Sequence, residues 1–291
     1  MTKPPHSARE PAPLGRALTV DDSRVAAIVA AIRGRTPARL LLGRRGGSYL
    51  TADQIALRAD HAAAIDAVWR EFDPRRDWAA EFFTHWNFLE AETAAATQDA
   101  HVRRPDLGRI FSADSTERIA AACPSGADLQ IVVGDGLSAS AVVAQVPLLL
   151  PLLAAAAAAS GWTLGRPILV RHCRVGILNH VGALLSPRVA VLLVGERPGL
   201  RSTQSLSAYM AHRPAPHHTD AHRNLVSNIH DAGTPPGRAA ERIVALAAAM
   251  MRLGISGTAI KESLDQDATL FPAAGPACLP PPSPSPPENE P

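Results

Sequence analysis

The sequence predicts an α/β protein, with a small helical N-terminal domain followed by a Rossmann-like domain on a mostly parallel sheet. Three observations carry that expectation. Helical periodicity bounded by start and stop residues occupies the first hundred positions. Beyond them, short runs that are apolar on both faces alternate with helical stretches, the pattern of strands buried in a parallel sheet with helices over it. At 291 residues and 46% apolar, the chain is long enough for one large or two small domains and apolar enough to bury a core.

The elements follow in order. Residues 1–16 hold Pro4, Pro5, Pro11 and Pro13 without an apolar run, and read as a loose tail rather than a secretion signal. Asp21, Asp22 or Ser23 can cap a first helix. In it Val25, Ile28, Val29 and Ile32 fall at i, i+3, i+4, i+7, and Gly34 stops it. Thr51 with Gln54 forms a capping box for a second helix, with Ile55, Ala62, Ile65 and Trp69 on one stripe. Asp73-Pro74 opens a third, carrying Trp78, Phe82, Phe83 and Trp86. This clustering of aromatics predicts a helical domain over 17–100 with its own aromatic core.

From residue 101 the pattern changes. Residues 128–133 (DLQIVV) read as a buried strand, Gly134-Asp135-Gly136-Leu137-Ser138 as a turn, and 139–159 as a long alanine-rich helix. That helix has no charged residue and the length of a membrane span. Pro147, Pro151, Gln145 and its run of weakly hydrophobic alanines favour a buried helix instead. Residues 167–170 and 189–194 (VAVLLV) make two further strands, and 206–210 and 225–229 are weaker candidates. A last helix opens at Thr234-Pro235-Pro236 and carries Ile243, Leu246, Met250 and Leu253 before Gly254. The Rossmann-like domain is expected over 101–262. Residues 263–291 form a tail: nine of the last twenty residues are proline, too little apolar surface for a core.

Composition excludes several functions. The net charge is +2, and Lys3 and Lys261 are the only lysines, so nothing suggests a nucleic-acid binder. Cys123, Cys173 and Cys278 are far apart and odd in number, which fits a reducing cytosol. GxSxG, Walker A, HExxH and post-strand GxGxxG signatures are absent. His212, His217, His218 and His222 are interrupted by Pro214 and Pro216, a polar loop rather than a metal site. No catalytic and no metal-ligating residue is therefore assigned.

Three turns mark a ligand crevice. Residues 134–138, Gly195-Glu196-Arg197-Pro198-Gly199, and Ser227-Asn228-Ile229-His230 before Gly233-Thr234-Pro235-Pro236 all belong to one sheet edge, where ligands of open parallel sheets bind. Taken singly, each is compatible with ordinary turn chemistry. Asp135 and Ser138 read as helix caps.

Motifs then add a family. Arg104-Pro105-Asp106-Leu107-Gly108-Arg109, Asp135-Gly136-Leu137-Ser138, Val194-Gly195-Glu196-Arg197-Pro198-Gly199-Leu200, Ser205-Leu206-Ser207 with Tyr209, Ser227-Asn228-Ile229-His230 and Gly233-Thr234-Pro235-Pro236 occur in this order. Together they resemble the small (light) subunit of ethanolamine ammonia-lyase, over about residues 17–257, with Gly43-Arg44 and Asp60-His61 in support. The resemblance implies a required, non-catalytic subunit of an adenosylcobalamin-dependent radical lyase that converts ethanolamine to acetaldehyde and ammonia. It implies a catalytic large subunit, a TIM barrel, with the cobalamin at the interface and a hetero-oligomeric assembly.

The family's cobalamin contacts map onto Val175, Glu196 and Leu225. Leu225 departs from the cysteine that relatives carry there, so only a backbone or packing contact would survive, and the apolar Val175 is expected to act in the same way. Glu196 is expected to accept hydrogen bonds from cofactor amides or hydroxyls, or else to pair with Arg197 or cap its turn. The proline-rich N-terminus does not resemble the amphipathic helix that directs some relatives to a bacterial microcompartment, so a cytoplasmic enzyme is expected. The alternative is a stand-alone Rossmann-like module for a nucleotide or another small ligand.

Overall fold

A computed structural model describes residues 22–260, apart from 37, 43 and 201. The expected tails over 1–16 and 263–291, with Cys278, lie outside the described residues. The described residues begin with α1 (Asp22–Arg33), a hairpin of β1 (Arg44–Arg45) and β2 (Ser48–Tyr49), α2 (Thr51–Trp69), and the short helices α3 (Pro74–Asp77) and α4 (Ala80–Trp86). It continues through β3 (Leu89–Glu92), α5 (Gln98–Arg103), α6 (Ala113–Ala122), β4 (Leu129–Gly134), α7 (Ala139–Ala159), β5 (Ile168–Arg171) and α8 (Ile177–Leu185). Strands β6 (Val189–Gly195), β7 (Leu206–His212) and β8 (Asn224–Ile229) follow, and α9 (Pro236–Leu253) closes the order.

Six strands form one sheet in the order β3-β5-β4-β6-β7-β8. The first four run parallel, whereas β7 is antiparallel to β6 and β8 to β7. Every residue of β4 and β6 is buried, in keeping with sequences that are apolar throughout except for Gln130 of β4, whose amide nitrogen donates to the Ile131 and Arg166 carbonyls (3.0 and 2.8 Å). One face carries α7 and α9 and the other α6 and α8, giving a three-layer α/β architecture.

Three local readings are corrected. Leu50, not Thr51, is the N-cap of α2 and gives no side-chain cap, while Gln54 reaches back to the Tyr49 carbonyl (3.3 Å). The helix opened by Asp73-Pro74 does start as expected, with the Asp73 carboxylate accepting from the Arg75 N–H (3.0 Å). It breaks at Trp78, whose extended backbone (φ −117°, ψ 156°) turns the indole into the core. Leu253 at the end of α9 is exposed rather than on the buried stripe of Ile243, Leu246 and Met250.

The aromatic segment does not build its own core. Phe72, Trp78 and Phe88 join α7, α9 and the sheet in one cluster, and β3, inside the stretch expected to be helical, pairs with β5 as the sheet's edge. The stripe of α1 and α2 that was expected to face a core is instead exposed at Val25, Ile28, Ile32, Ile55, Ile65 and Trp69.

Helix α7 has the length and apolarity to cross a membrane. Here its Leu149, Leu150 and Leu153 are fully buried against the sheet and α9. Ser138 caps it as expected, accepting from the Ala141 N–H (3.2 Å).

Candidate functional site

The C-terminal ends of β4, β5 and β6 lie side by side, and the loops that leave them are pressed together. Gly136 has φ +60°, and a Cβ there would overlap the Gly195 carbonyl and the Val194 side chain. A Cβ on Gly195 would in turn overlap the Ser138 carbonyl. The Leu137 N–H donates to the Gly195 carbonyl (3.1 Å), locking the first loop to the third.

Asp135 locks the first loop to the second. Its buried carboxylate accepts the backbone N–H of His172 (2.7 Å) and of Cys173 (2.8 Å), the residues that lead to Arg174 and Val175. It therefore caps a loop rather than a helix. The left-handed backbone of His172 (φ +58°) is braced by the Thr93 hydroxyl donating to its carbonyl (3.0 Å) and by its own Nδ1 donating to the Ala95 carbonyl (2.7 Å). His101 stacks on His172 with ring centroids 5.7 Å apart, and its Nε2 donates to the Gly136 carbonyl (2.8 Å). Burial, the largest influence, holds His101 below the usual imidazole range.

Glu196 locks the third loop to β7 and β8. One carboxylate oxygen accepts from the Ser207 hydroxyl (2.5 Å) and the Asn228 N–H (2.9 Å), and the other accepts from the Ser205 hydroxyl (2.6 Å). Its own N–H donates to the Ser205 carbonyl (3.0 Å). Glu196 therefore gives most of its acceptor capacity to the protein. Among the described residues Oε2 keeps a lone-pair direction without a donor, and the side chain is half-buried at the edge of a cavity.

That cavity, about 260 Å³, brings together Val175, Glu196 and Leu225, with Leu137, Arg197 and Tyr209 beside them. Leu225 stands on β8, opposite Tyr209 of β7, and is 43% exposed. Burial, then Glu196, raises the Tyr209 phenol above its usual range. A larger cavity of about 820 Å³ adjoins it through Arg174, Val175 and Tyr209 and adds Arg109, His180 and Arg223. Burial, and then the nearby Arg197, depresses the Arg174 guanidinium. Arg174 donates to the His101 carbonyl (2.8 Å) and forms no ion pair among the described residues, so the two cavities share a cationic wall.

Sequence reasoning did not single out Arg174 or Arg223. Arg104 and Asp106, at the head of the first motif, bind each other at an exposed turn (2.8 Å). Asn228 accepts from His230 Nε2 (2.7 Å), which shapes the third turn.

A family model described as ethanolamine ammonia-lyase light chain (EutC) matches residues 26–261. The chain belongs to this family. Among proteins named ethanolamine ammonia-lyase small subunit, that of Bradyrhizobium diazoefficiens is 43% identical over 240 residues, covering 81% of this chain and 91% of its own. That of Clostridium perfringens is 40% identical over 230 residues, with 79% and 76% covered. That of Clostridium acetobutylicum is 35% identical over 230 residues, with 79% and 93% covered. The light-chain match takes in all three loops of the crevice and begins within α1, so the exposed helices α1 and α2 belong to the family's fold as much as the sheet does.

Proposed function

We propose that the chain is the small subunit of an adenosylcobalamin-dependent ethanolamine ammonia-lyase and forms one wall of the cobalamin site. The observation that carries the reading is the meeting of Val175, Glu196 and Leu225 in a single cavity at the sheet's C-terminal edge, although 50 residues separate the first from the last.

The residues present fit such a group. Val175, Leu137 and Leu225 offer an apolar surface to a flat macrocycle. The open lone pair of Glu196 can accept from a peripheral amide, and Arg197 can donate to an amide carbonyl. The cavity of about 260 Å³ is below the range of about 300–1,000 Å³ of pockets that enclose a drug-sized ligand. A corrin is larger than such ligands, so it can rest against this wall but cannot be enclosed by it. A second chain must supply the opposite wall, and the catalytic large subunit, a TIM barrel in this reading, fills that part.

When bound, adenosylcobalamin supplies a cobalt–carbon bond whose homolysis drives the radical conversion of ethanolamine to acetaldehyde and ammonia. The work of this chain is to bind, orient and exclude water. Asp135 holds the Val175 loop, Glu196 holds its own loop against β7 and β8, and the glycine contacts leave neither loop room to shift.

The test is co-purification with the cognate large subunit and ammonia release from ethanolamine, with and without adenosylcobalamin. Activity is expected only with both chains and the cofactor. Leu225→Glu and Val175→Glu should raise the half-saturating adenosylcobalamin concentration by tenfold or more with the complex intact. Full activity from the large chain alone, or no complex, would overturn the reading in favour of a stand-alone binding module.

A further inference from the structure

Residues 25–69 are folded inside out. Eleven of the eighteen large apolar side chains exposed among the described residues lie in this segment, so the exposure is concentrated rather than scattered. Ile55 is 62% exposed, Ile28 52%, Trp69 50% and Ile65 47%. Helix α2 buries only Ala67 along its 19 residues.

What holds the segment together is polar. Arg33 donates to the carbonyls of Leu40 (3.2 Å) and Leu41 (2.7 Å). Arg39 pairs with Asp60 and donates to the Ala56 carbonyl (3.0 Å), and the Arg44 guanidinium sits 4.7 Å from the centre of the Tyr49 ring. Apart from the half-buried Arg39–Asp60 pair these contacts are exposed, and exposed polar contacts stabilise little. A bare helix of α2's length is marginal in water, because most helical stability comes from packing an apolar face. An arm that shows water its isoleucines and hides none is complete only when another surface covers it.

Two observations identify that surface. First, the arm's base is continuous with the proposed cofactor wall. Val68 and Arg70 line a cavity with Gly136 and Leu137, the residues that also line the cavity of Val175, Glu196 and Leu225, and Arg70 donates to the Ser140 hydroxyl (3.0 Å) in the first turn of α7. A chain lying over the cofactor wall runs on to α2 without a gap. Second, between residues 25 and 69 there are six arginines and three aspartates, a net of +3. Two such arms repel each other, which disfavours pairing between copies and favours a partner surface that is apolar and mildly acidic.

We infer that residues 25–69 are a docking arm that lies along the large subunit, with Ile55, Ile65 and Trp69 as its anchors. The inference rests on the proposed function and adds to it the surface by which the partner is held.

The experiment is binding of the full chain to the cognate large subunit, comparing wild type with the double variant Ile55→Asp/Ile65→Asp. Both positions are exposed, so the thermal midpoint of the isolated chain should not move. Binding is expected to weaken at least tenfold, while complex formed at high concentration keeps the wild-type half-saturating adenosylcobalamin. In the wild type, hydrogen exchange of α2 amides should slow when the large subunit is added, a readout that holds even if the variant misfolds. Wild-type affinity in the double variant, or unchanged exchange in α2, overturns the arm and leaves the proposed function standing. Failure of the wild type to bind the large subunit overturns both. A self-associating isolated chain that the double variant renders monomeric would reassign the arm to a second copy and overturn the inference.

Discussion

The indole N–H of Trp78 donates to the carbonyl of Val143 (3.4 Å), the backbone group that Pro147 leaves without its helical partner. A proline four residues on has no N–H to offer, and the aromatic segment supplies a donor from outside the helix. Trp78 also stacks on Phe88 (centroids 5.5 Å) and meets Phe72 edge-on (5.0 Å). Trp78→Ala is expected to cost about 3–5 kcal/mol. Trp78→Phe keeps an aromatic ring but leaves the carbonyl unpaired, and should cost about 1–3 kcal/mol. Urea unfolding of the isolated chain measures both.

Asp135 is expected to respond to the loss of a single acceptor. Asp135→Asn replaces one oxygen with a donor, so either His172 or Cys173 keeps a buried N–H without a partner. The expected destabilisation is about 1–3 kcal/mol. Because the same loop carries Val175, the half-saturating adenosylcobalamin concentration of the assembled lyase should rise while kcat stays within twofold. A fall in kcat at an unchanged cofactor requirement would contradict this.

Glu196→Gln keeps the shape and removes the charge. The carboxylate receives two hydroxyl donors and one N–H; the amide oxygen of Gln must stay on the Asn228 N–H, so its nitrogen meets Ser205, whose hydroxyl has to turn round and accept, and the charge that strengthened all three bonds is gone. Charge-assisted bonds of this kind contribute about 1.5–3 kcal/mol, and a loss of that order is expected in thermal unfolding. Glu196→Asp, one methylene shorter, should not restore it.

Gly136→Ala tests the close approach of the loops. The left-handed backbone alone costs an L-residue about 1–2 kcal/mol, and overlap with the Gly195 carbonyl adds to that. Gly126, also left-handed (φ +75°) but with open space around it, should cost only the conformational part when changed to Ala. Equal destabilisation of the two variants would show that the loops can separate freely.

Stability should fall on the acid side of neutrality. Burial depresses His101, His180 and His212 below the usual imidazole value of 6.5. A base with a depressed folded pKa binds its proton more readily when unfolded, so the stability present above 6.5 is lost as pH falls below it. His101 stands out because its Nδ1 is buried with no hydrogen-bond partner among the described residues. It faces Asp135, which favours its proton, and Arg174 and His172, which oppose it. Thermal midpoints taken downward from neutral pH should drop, and the drop should be smaller in His101→Gln.

The parts of the fold that were legible are those whose local sequence admits one environment. Residues 189–194 are apolar on both faces, and residues 129–133 are so except at Gln130; such runs fit only central strands, as β4 and β6 are. Strand β3 was not legible, because its sequence LEAE alternates with glutamates and gains strand character only from β5 beside it. The antiparallel direction of β7 and β8 was available in principle, since neither connection is long enough to hold a crossover helix. The aromatic cluster misled because periodicity reports that a face is apolar and not what covers it; Trp78 and Phe88 belong to the sheet's core.

At the site, the positions of the turns were legible and their bonds were not. Ser205, Ser207 and Asn228 all fall within recognisable motifs, yet only the structure shows that they converge on Glu196. Arg174 carries no motif signal, and its significance comes from its place in the wall that the two cavities share.

Helix α7 ends at Ala159, and the helix that covers it, α9, begins at Pro236, 77 residues later. At roughly 5–20 residues per second of synthesis, an uncharged segment as apolar as a membrane span waits about 4–15 s on the ribosome for its cover. Over that interval the growing chain offers any passing hydrophobic receptor a competing substrate, so the speed with which β6 through α9 are translated bears on how much of the protein reaches its native state.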